Sequence, residues 1–447
     1  MRQWPGNVVR FLAIVLVVVV GAIAYGVARL ATLLLYWRRA RRRAAVARLR
    51  GRLLRWAMTL LGATFIKLGQ VLSTRPDLLE PETIDELRHL QDRLHAFGYR
   101  KVRRIIEADL GGRVEDHFAE LDRRPVAAAS VAQVHRGLLH DGTEVAVKVV
   151  RPEVRGTIER DGRLLHFFAR IAELSRTARL SRPVDHCREL IDGILMQTDL
   201  RGEAAHYERF RANFAGVPGL RFPTVFPAQS SERVLTMSFE RGRKIDALGA
   251  GGHPELALVT RRTFFKMCFE DGFVHADLHP GNMLVGDDGD LVIFDVGLVK
   301  HLDAELLLQL VDFSRCVAMG TSADFVGHLR RFHTYMGDVD WDEVQRDAEA
   351  FVARFRDRTS AELEMGVFIR DVFAIGRKHK IQPLPEMTLI LVGVVTSEGI
   401  AKMLDPGVNT FHEMAAFLMP LAQRLGLGPA APAPAPGAGA VTTPDPA

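Results

Sequence analysis

The feature that most constrains the fold of this chain is a block at positions 274–297, VHADLHPGNMLVGDDGDLVIFDVG. Two apolar runs, MLV and LVIF, flank a turn at 286–290, and this pattern is typical of a β-hairpin. Four polar side chains are spaced around that hairpin: His275, Asp277, Asn282 and Asp295. Chance polar residues in a loop are not expected to combine this spacing with a hairpin. The block therefore predicts a compact site in which polar side chains converge.

The spacing of these residues is that of the catalytic loop in kinase-like phosphotransferases, where an aspartate precedes an asparagine and a second aspartate follows a short hairpin. In that layout Asp277 orients the acceptor, while Asn282 and Asp295 supply oxygen ligands to Mg²⁺. The acidic turn between the apolar runs lacks the spacing and the terminal glutamate of an EF-hand, so it predicts a solvated turn and not a calcium site. We therefore expect a site that handles phosphate groups.

A lysine upstream of the block is the second element of this pattern. In the run VAVKVV at 145–150, the period of two places Lys148 on one face with Ala146 and Val150, opposite three valines. The Asp-Gly pair before this run predicts a hairpin turn. A lone lysine in a strand usually lies at an edge, but one that precedes such a catalytic loop is typical of the phosphate-pairing lysine of a kinase small lobe.

A third element replaces the usual phosphate-binding loop. Kinases cover the phosphates with a glycine-rich loop, because glycine lets backbone N–H groups approach closely. This chain has three alanines and a serine at the corresponding place: Ala127, Ala128, Ala129 and Ser130. Together with VAVKVVRP, HADLHPGN and FDVG, and with TFIKLGQVLSTRPDLL at 64–79, this loop resembles the UbiB family of atypical protein-kinase-like proteins, which includes the coenzyme Q kinases of mitochondria.

The resemblance implies an α+β, protein-kinase-like bilobal fold with an N-terminal helical extension. In the family, the Lys-x-Gly-Gln motif of this extension, here Lys67 and Gln70, packs over the active site and blocks ordinary protein substrates. A polar helix face is the alternative interpretation of these two residues. The alanine-rich loop is associated with an altered nucleotide preference, so the expected cofactors are ATP (or ADP) and Mg²⁺. By the same resemblance, Lys148 contacts the nucleotide phosphates and Asp277 acts in catalysis.

One departure from the family pattern concerns the partner of the active-site lysines. The family's Glu-x-Asp motif stands here as Gln-Thr-Asp at 197–199. An amide carries no charge, so the ion pair expected with Lys148 or Lys67 needs another carboxylate. The sequence leaves three alternatives open: Asp199, Glu203 and Glu189.

The N-terminal region contains an uncharged apolar run at 11–28, FLAIVLVVVVGAIAYGVA, which predicts a transmembrane helix. A cleavable signal peptide is the alternative, but arginines follow the run, as in a stop-transfer arrangement. The arginine-rich stretch at 37–56 outweighs Arg2 and Arg10 on the other side. This asymmetry predicts a single-pass protein of the inner (cytoplasmic) membrane with its kinase-like domain in the cytoplasm. The stretch itself is either a solvated basic helix or a contact for anionic headgroups.

Composition limits the remaining possibilities. The chain has 447 residues, a net charge of +5 and three cysteines, so it has room for several domains and no basis for a disulfide framework. The tail lacks the large apolar residues of a core and predicts disorder. Five regions are predicted: a transmembrane helix with a basic segment at 1–44, the helical extension at 45–122, a small lobe with a helical insertion at 123–240, a large lobe at 241–427 and the tail at 428–447.

The resemblance implies a membrane-anchored, Mg²⁺-dependent ATPase or atypical kinase that supports ubiquinone or another isoprenoid-quinone biosynthesis. The expected partners are membrane lipid, quinone-biosynthesis proteins and polyprenyl intermediates, and no nucleic acid. A small-molecule kinase of the aminoglycoside- or choline-kinase type is one alternative, although the Lys-x-Gly-Gln segment and the alanine-rich loop argue against it. A nucleotide-binding scaffold without turnover is another, and Gln197 favours it.

Overall fold

The structure is a computed structural model that describes these stretches of the chain: 4–35, 39–73, 79–90, 95–174, 183–319, 321–332, 334–335, 338–356, 365–382, 385–407 and 410–425. Its contacts divide the chain into two compact units, residues 1–301 with 385–408, and residues 302–384 with 409–447. The tail predicted to be disordered lies outside the described residues. All of the predicted site residues belong to the first unit.

An antiparallel sheet carries the predicted lysine strand. Its order is β1-β3-β4-β6, with β2 paired to β3. Gly142, in the turn between β3 and β4, has a φ of 87°, a left-handed conformation that glycine adopts without strain. The predicted hairpin is therefore present. The strands of this sheet are β1 (Glu120–Leu121), β2 (Ala127–Ala128), β3 (Ala132–Leu138), β4 (Glu144–Val150) and β6 (Val234–Ser238).

The packing of this sheet explains where Lys148 points. The three odd-numbered valines of β4 are fully buried in a core shared with α5 (Tyr99–Leu110), whose apolar residues recur at helical spacing. Lys148 lies on the opposite face, and its partners on the flanking strands are Val134 and Leu235. A one-residue slip would move the valines out of the core, so their burial fixes the face that Lys148 occupies.

The block at 274–297 builds a second sheet and a short ribbon. The sheet has the order β5-β10-β9-β7, and β8 pairs with β11. β9 and β10 are antiparallel and form the hairpin that the two apolar runs predict. The bounds are β5 (Leu220–Arg221), β7 (Gly242–Lys244), β8 (Phe273–His275), β9 (Met283–Gly286), β10 (Leu291–Ile293) and β11 (Val299–His301).

Helices complete the first unit. α15 contains an apolar run at 389–395, in which Ile390 and Leu391 are buried. A π-helical turn, Lys266–Glu270, continues α10. The helices are α1 (Trp4–Leu35), α2 (Arg39–Leu61), α3 (Ala63–Ser73), α4 (Pro81–Leu87), α5 as above, α6 (Val114–His117), α7 (Val154–Ala172), α8 (Pro183–Met196), α9 (Leu200–Asn213), α10 (Pro254–Phe265) and α15 (Pro385–Leu404).

The first helix contains the predicted apolar run. Its span Val8–Leu30 has a mean hydropathy of 2.8 and is long and apolar enough to cross a membrane. The side chains of this span are mostly exposed. α1 is therefore a candidate membrane anchor.

The second unit is largely helical in its described part. Aromatic rings pack against one another across its helices, through Phe313, Phe325, Phe351 and Phe368. The pairing of β12 with β13 is not predicted from the sequence, because two-residue strands have no periodicity to detect. The elements are α11 (Ala304–Met319), α12 (Ser322–Phe332), β12 (Thr334–Tyr335), α13 (Trp341–Arg356), α14 (Met365–Lys378), β13 (Ile381–Gln382) and α16 (Thr410–Arg424).

Candidate functional site

A cavity of about 1460 Å³ in the first unit collects the predicted functional residues. It is bordered by the antiparallel sheet, by α3, by α15 and by the block at 274–297. The structure brings these predicted site residues to its lining: Lys67, Gln70, Ala127, Ala128, Ala129, Ser130, Lys148, Glu203, Asp277, Asn282 and Asp295. The sequence pattern therefore converges on one place, and the exceptions are Asp199 and Glu189, two of the three alternative carboxylates.

Lys148 forms ion pairs with two carboxylates that line this cavity. Its Nζ donates hydrogen bonds of 2.8 Å to both carboxylate oxygens of Glu203 and one of 2.8 Å to Oδ1 of Asp295. Glu203 comes from the first turn of α9, and Asp295 follows β10. We call these three residues the floor of the cavity.

Burial and neighbouring charges have opposite effects on the pKa values of the floor residues. Burial alone would lower the pKa of Lys148, but the carboxylates of Asp295 and Glu203 raise that pKa well above its ordinary value. The Lys148 ammonium holds the pKa of Asp295 below its ordinary range. Burial raises the pKa of Glu203, and the charge of Lys148 opposes this effect. Lys148 and Asp295 are therefore ionised at neutral pH, as binding of phosphates and a metal requires.

Asp295 is held in an uncommon backbone conformation. Its φ of 56° lies in the left-handed region, which residues other than glycine seldom adopt. Its N–H donates to the hydroxyl of Tyr207 at 3.0 Å, and Tyr207 is fully buried on α9. A side chain at position 297 would come within 3.2 Å of Oε2 of Glu203, so Gly297 gives the floor its space. Backbone strain of this kind concentrates at functional sites.

Asp277 and Asn282 lie between β8 and β9. The Asn282 side chain donates through Nδ2 to the backbone carbonyl of Asp277 at 3.1 Å. The N–H of Asp277 donates to Nδ1 of His275 at 3.1 Å, and burial lowers the pKa of His275. A neutral imidazole can accept this hydrogen bond, so His275 positions the backbone from which the Asp277 carboxylate reaches the cavity.

The alanine-rich loop connects β2 to β3. The N–H of Ala129 donates to the carbonyl of Ala132 at 2.8 Å, and Nε of Arg151 donates to the carbonyl of Ala129 at 2.7 Å. Both backbone groups of Ala129 are thus already bonded within the protein. This N–H is not available to a phosphate in the way that the N–H groups of a glycine-rich loop are.

α3 brings the Lys-x-Gly-Gln motif to the opposite part of the lining. Lys67 is buried, and its Nζ lies 3.6 Å from Oδ2 of Asp277. A Cβ at position 69 would lie 2.3 Å from Leu90 and 2.5 Å from the sulfur of Met58, so Gly69 is required for close packing of α3. The motif therefore has a packing role at its glycine and an electrostatic role at its lysine.

Two amide groups beside the cavity have an atom without a hydrogen-bond partner among the described residues. These atoms are Oε1 of Gln70 and Nε2 of Gln197, and both are buried. A buried polar atom that stays unpaired lowers stability, and a ligand or ordered water removes that penalty. We call Lys67, Gln70 and Gln197 the cover of the cavity.

The structure shows which of the alternative carboxylates takes part in the site. Glu203 pairs with Lys148, whereas Asp199 caps α9 and pairs with Arg201 at 2.7 Å. Asp199 as an ion-pair partner of the active-site lysines is therefore wrong. The N–H groups at the start of α9 favour a carboxylate at the capping position, and this draws the side chain away from the cavity. Glu189 does not line the cavity either.

Three features of the site are not predicted from the sequence: Tyr207, Arg151 and the wall formed by α15. Tyr207 lies four residues after Glu203, and this helical spacing is the signal that points to it. The α15 wall contains Val395, Thr396, Gly399, Ile400 and Met403. Most residues of α15 are apolar, so its pattern does not distinguish a cavity wall from a core.

The donor set fits a magnesium ion that is shared with phosphate groups. Asn282 and Asp295 offer one amide oxygen and one carboxylate, and the Asp295 side chain is 47% exposed. Mg²⁺ prefers oxygen ligands and commonly keeps waters and phosphate oxygens beside one or two protein ligands. The part of the chain that the structure describes contains no group of three or more His, Cys, Asp or Glu side chains placed to hold a metal. These residues therefore suit a metal that binds together with a nucleotide.

Comparison with protein families matches two parts of the chain. Residues 89–321, more than half of the chain, match the ABC1 atypical kinase-like domain. Residues 348–409 match the UbiB helical domain. The first match includes the floor, Asp277 and Asn282, whereas Lys67 precedes it.

Individual relatives agree with these matches. The probable protein kinase UbiB of Aeromonas hydrophila is 34% identical over 87% of this chain and 73% of that protein. Protein ACTIVITY OF BC1 COMPLEX KINASE 7, chloroplastic, of Arabidopsis thaliana is 32% identical over 83% of this chain, which spans 54% of that protein. Among solved structures, the Rv3197–erythromycin complex from Mycobacterium tuberculosis aligns with 76% of this chain and 91% of that chain, at 22% identity and a TM-score of 0.46.

Proposed function

Because this chain belongs to the UbiB/ABC1 family of atypical kinase-like proteins, we propose that it is a Mg²⁺-dependent ATPase or atypical kinase. One observation carries the proposal. The floor, in which Lys148 contacts two carboxylates at 2.8 Å, shares a single cavity with Asp277 and Asn282. Kinase-like phosphoryl transfer depends on such a set, since the protein contributes mainly positioning and charge stabilisation.

Each residue of the set has a separate task. Glu203 orients the Lys148 ammonium, which neutralises phosphate charge. Asn282 and Asp295 would hold Mg²⁺, which when bound spreads the charge of the phosphates. Asp277 orients the acceptor hydroxyl or water and takes up its proton.

The position of the cover supports water or a small molecule as the acceptor. Lys67 lies 3.6 Å from the Asp277 carboxylate and so takes up space beside the residue that would orient the acceptor. Water needs far less room than a substrate loop. We therefore expect hydrolysis to exceed phosphorylation of proteins.

The biological part of the proposal follows from the family. The protein would support biosynthesis of ubiquinone or another isoprenoid quinone, with membrane lipid, polyprenyl intermediates and quinone-biosynthesis proteins as partners. The apolar span of α1 supports attachment to the inner membrane, with the kinase-like body in the cytoplasm.

Hydrolysis of ATP by the full-length protein tests the proposal. We expect turnover with Mg²⁺ that is lost in Asp277→Asn, while this variant still melts at a higher temperature in the presence of Mg-ATP. We also expect Asp295→Asn to abolish the Mg²⁺-dependent part of that thermal shift. An unchanged shift in Asp295→Asn would refute the metal assignment.

A nucleotide-binding scaffold is the second candidate, because Gln197 replaces the charged residue of the family motif and its Nε2 is unpartnered in the described structure. Binding of Mg-ATP without turnover, in the wild type and in Gln197→Glu alike, would favour the scaffold. Turnover by the wild type would exclude it.

A further inference from the structure

Exposed apolar side chains are concentrated in one part of the molecule. Among the described residues, twenty large apolar side chains are exposed. Ten of these lie on α1, and three more lie on the last two turns of α7 or just after it: Phe167, Ile171 and Leu174. Leu174 is 78% exposed. Exposed apolar side chains that cluster in this way are typical of an interaction site.

The beginning of α1 is bound to the kinase-like body by an ion pair. Arg10 donates through Nε and Nη2 to the two carboxylate oxygens of Asp161 on α7, both at 2.8 Å. The Asp161 side chain is only 1% exposed. A buried carboxylate that loses its cation is strongly destabilising, so this contact holds α1 in place.

Aromatic contacts reinforce this attachment. The ring of Phe11 stacks on that of Phe168, with centroids 5.7 Å apart and planes 6° from parallel. The Arg10 guanidinium lies over the ring of Phe65 on α3, 5.6 Å from its centroid. Ile14 is 2% exposed. The stack also places α1 next to the exposed side chain of Phe167, whose ring contacts that of Phe168.

The far end of α1 returns to the body through α2. Nη2 of Arg10 donates to the carbonyl of Leu61, the last residue of α2, at 2.7 Å. α1 ends at Leu35, and α2 begins at Arg39. The two helices are therefore antiparallel, and α2 is fixed to α4 by the contact of Arg52 with Glu86 at 2.9 Å. The beginning of α1 and the later part of α2 therefore both contact the body.

This arrangement is incompatible with the single crossing that the sequence predicts. A helix that crossed the bilayer from residue 8 to residue 30 would separate Arg10 from Asp161 by the thickness of the membrane. The hydropathy of α1 alone favours a crossing, but the crossing would leave the buried Asp161 without its cation.

We propose that α1 and the C-terminal end of α7 form one surface that lies on an anionic bilayer, without crossing it. We call it the bilayer face. The positive charge of α2 supports an anionic bilayer as the partner of this surface. α2 lies alongside α1 and contains eight arginines and no acidic residue. The proposal rests on the proposed membrane location and is independent of the nucleotide chemistry.

The sidedness of the N-terminus tests the absence of a crossing. In the full chain with its three cysteines replaced by serine, we would place single cysteines by Gln3→Cys and, as the reference on the body, Glu255→Cys. An impermeant maleimide is then applied to intact cells and to inverted membrane vesicles. We expect both positions to be protected in cells and labelled equally in inverted vesicles. Labelling of position 3 in cells, with position 255 protected, would overturn the proposal.

Charge reversal tests the role of the ion pair. We expect Arg10→Glu and Asp161→Arg each to allow labelling of position 3 in intact cells, and the double variant to restore protection. Unchanged protection in both single variants would show that the ion pair does not fix α1. Hydrolysis of Mg-ATP in the inverted vesicles is recorded in parallel. If position 3 is labelled in intact cells although Mg-ATP is hydrolysed, only the bilayer face is contradicted. If position 3 is protected but Mg-ATP is not hydrolysed, only the proposed function is contradicted.

An environment-sensitive fluorophore tests the part played by α7. It is attached at Ile171→Cys or, as a matched control in the same unit, at Met196→Cys at the end of α8, where the native methionine is 62% exposed. We expect emission at position 171 to rise and shift to the blue with vesicles that contain phosphatidylglycerol, and to change little with phosphatidylcholine alone. No response at position 171, or a response that depends on protein concentration without vesicles, would overturn the proposal in favour of a free face or of a second copy of the chain.

Discussion

The floor and the cover of the cavity are built in different ways. In the floor, Lys148 makes three contacts of 2.8 Å with two carboxylates. In the cover, Lys67 lies 3.6 Å from Asp277, and two amide groups each have an atom without a partner in the described structure. The ion pairs of the floor therefore form without a ligand, whereas the two unpartnered amide atoms of the cover can still bind one. The difference indicates that the floor supplies the charged groups for phosphoryl transfer, whereas the cover controls access to Asp277.

Removal of the floor lysine should have the largest effect. Lys148→Met leaves Glu203, which is 3% exposed, without its cation, so we expect a loss of about 3–5 kcal/mol in the free energy of unfolding. We also expect hydrolysis to fall by at least about 100-fold, because a preorganised phosphate contact is lost. Chemical denaturation and initial rates measure the two effects.

A second substitution separates these two consequences. Lys148→Met with Glu203→Gln removes the unpaired charge, so part of the stability should return while hydrolysis stays low. If the double variant recovered activity, Lys148 would have no role in the chemistry.

Substitution of Lys67, the lysine of the cover, should increase access of protein side chains to Asp277. Lys67→Met leaves the Asp277 carboxylate, which is 32% exposed, in contact with water and removes a buried ammonium, so stability should be kept or raised. Self-phosphorylation, followed by mass spectrometry after incubation with Mg-ATP, should rise above that of the wild type. Lys101→Met on the surface of α5 is the matched control and should behave as the wild type does. An equally low level in both variants would show that Lys67 does not limit access.

Gln197, whose Nε2 has no hydrogen-bond partner in the described structure, should matter for nucleotide binding and not for stability. We expect Gln197→Met to keep or raise the melting temperature, since a buried unpaired donor is removed, and to reduce the rise that Mg-ATP produces. The control is Gln133→Met, because the buried Gln133 side chain bonds to Phe97 and His135. This control should lose about 1–3 kcal/mol without weakening the nucleotide response. Equal losses of stability in the two variants would contradict the distinction.

The pH dependence of the floor should be the smallest effect expected, because Lys148 and Asp295 both stay ionised around neutral pH. The pKa of Asp295 is lowered by Lys148, so its contribution is complete above the ordinary value of 3.8 and is lost only as the pH falls through the lower folded pKa. The pKa of Lys148 is raised, so its contribution is complete below 10.5 and is lost only as the pH rises through the folded pKa.

The matched measurement is the difference in melting temperature between the wild type and Lys148→Met. We expect this difference to shrink as the pH falls from about 9 to about 5, because burial raises the pKa of Glu203 and Lys148 no longer opposes this effect in the variant, so that Glu203 takes up a proton and loses its unpaired charge. A difference that stayed constant over this interval would indicate that Glu203 carries no unpaired charge in the variant.

The floor could be predicted because its signals are local. The alternation of β4 gives the face of Lys148, and the spacing around the β9–β10 hairpin gives Asp277, Asn282 and Asp295. The position of Lys67 beside Asp277 follows from the family resemblance and not from its own helix pattern. Its distance in the chain from Asp277 leaves no periodic signal.

The features that escaped prediction depend on contacts between distant segments. The ion pair of Arg10 with Asp161 joins residues 151 positions apart, and the sequence alone gives Arg10 the role of a flanking charge. The family motif places Asp199 among the predicted site residues, whereas helix capping determines its position in the structure. Hydropathy describes the composition of α1 but not the surface on which it packs.

The most direct test of the division between floor and cover is the initial rate of Mg-ATP hydrolysis by the wild type, Lys148→Met and Lys67→Met under identical conditions. We predict that the rate is lost in Lys148→Met and is maintained or increased in Lys67→Met. A loss of similar size in both variants would contradict the division, because it would make Lys67 part of the chemistry and not of the cover.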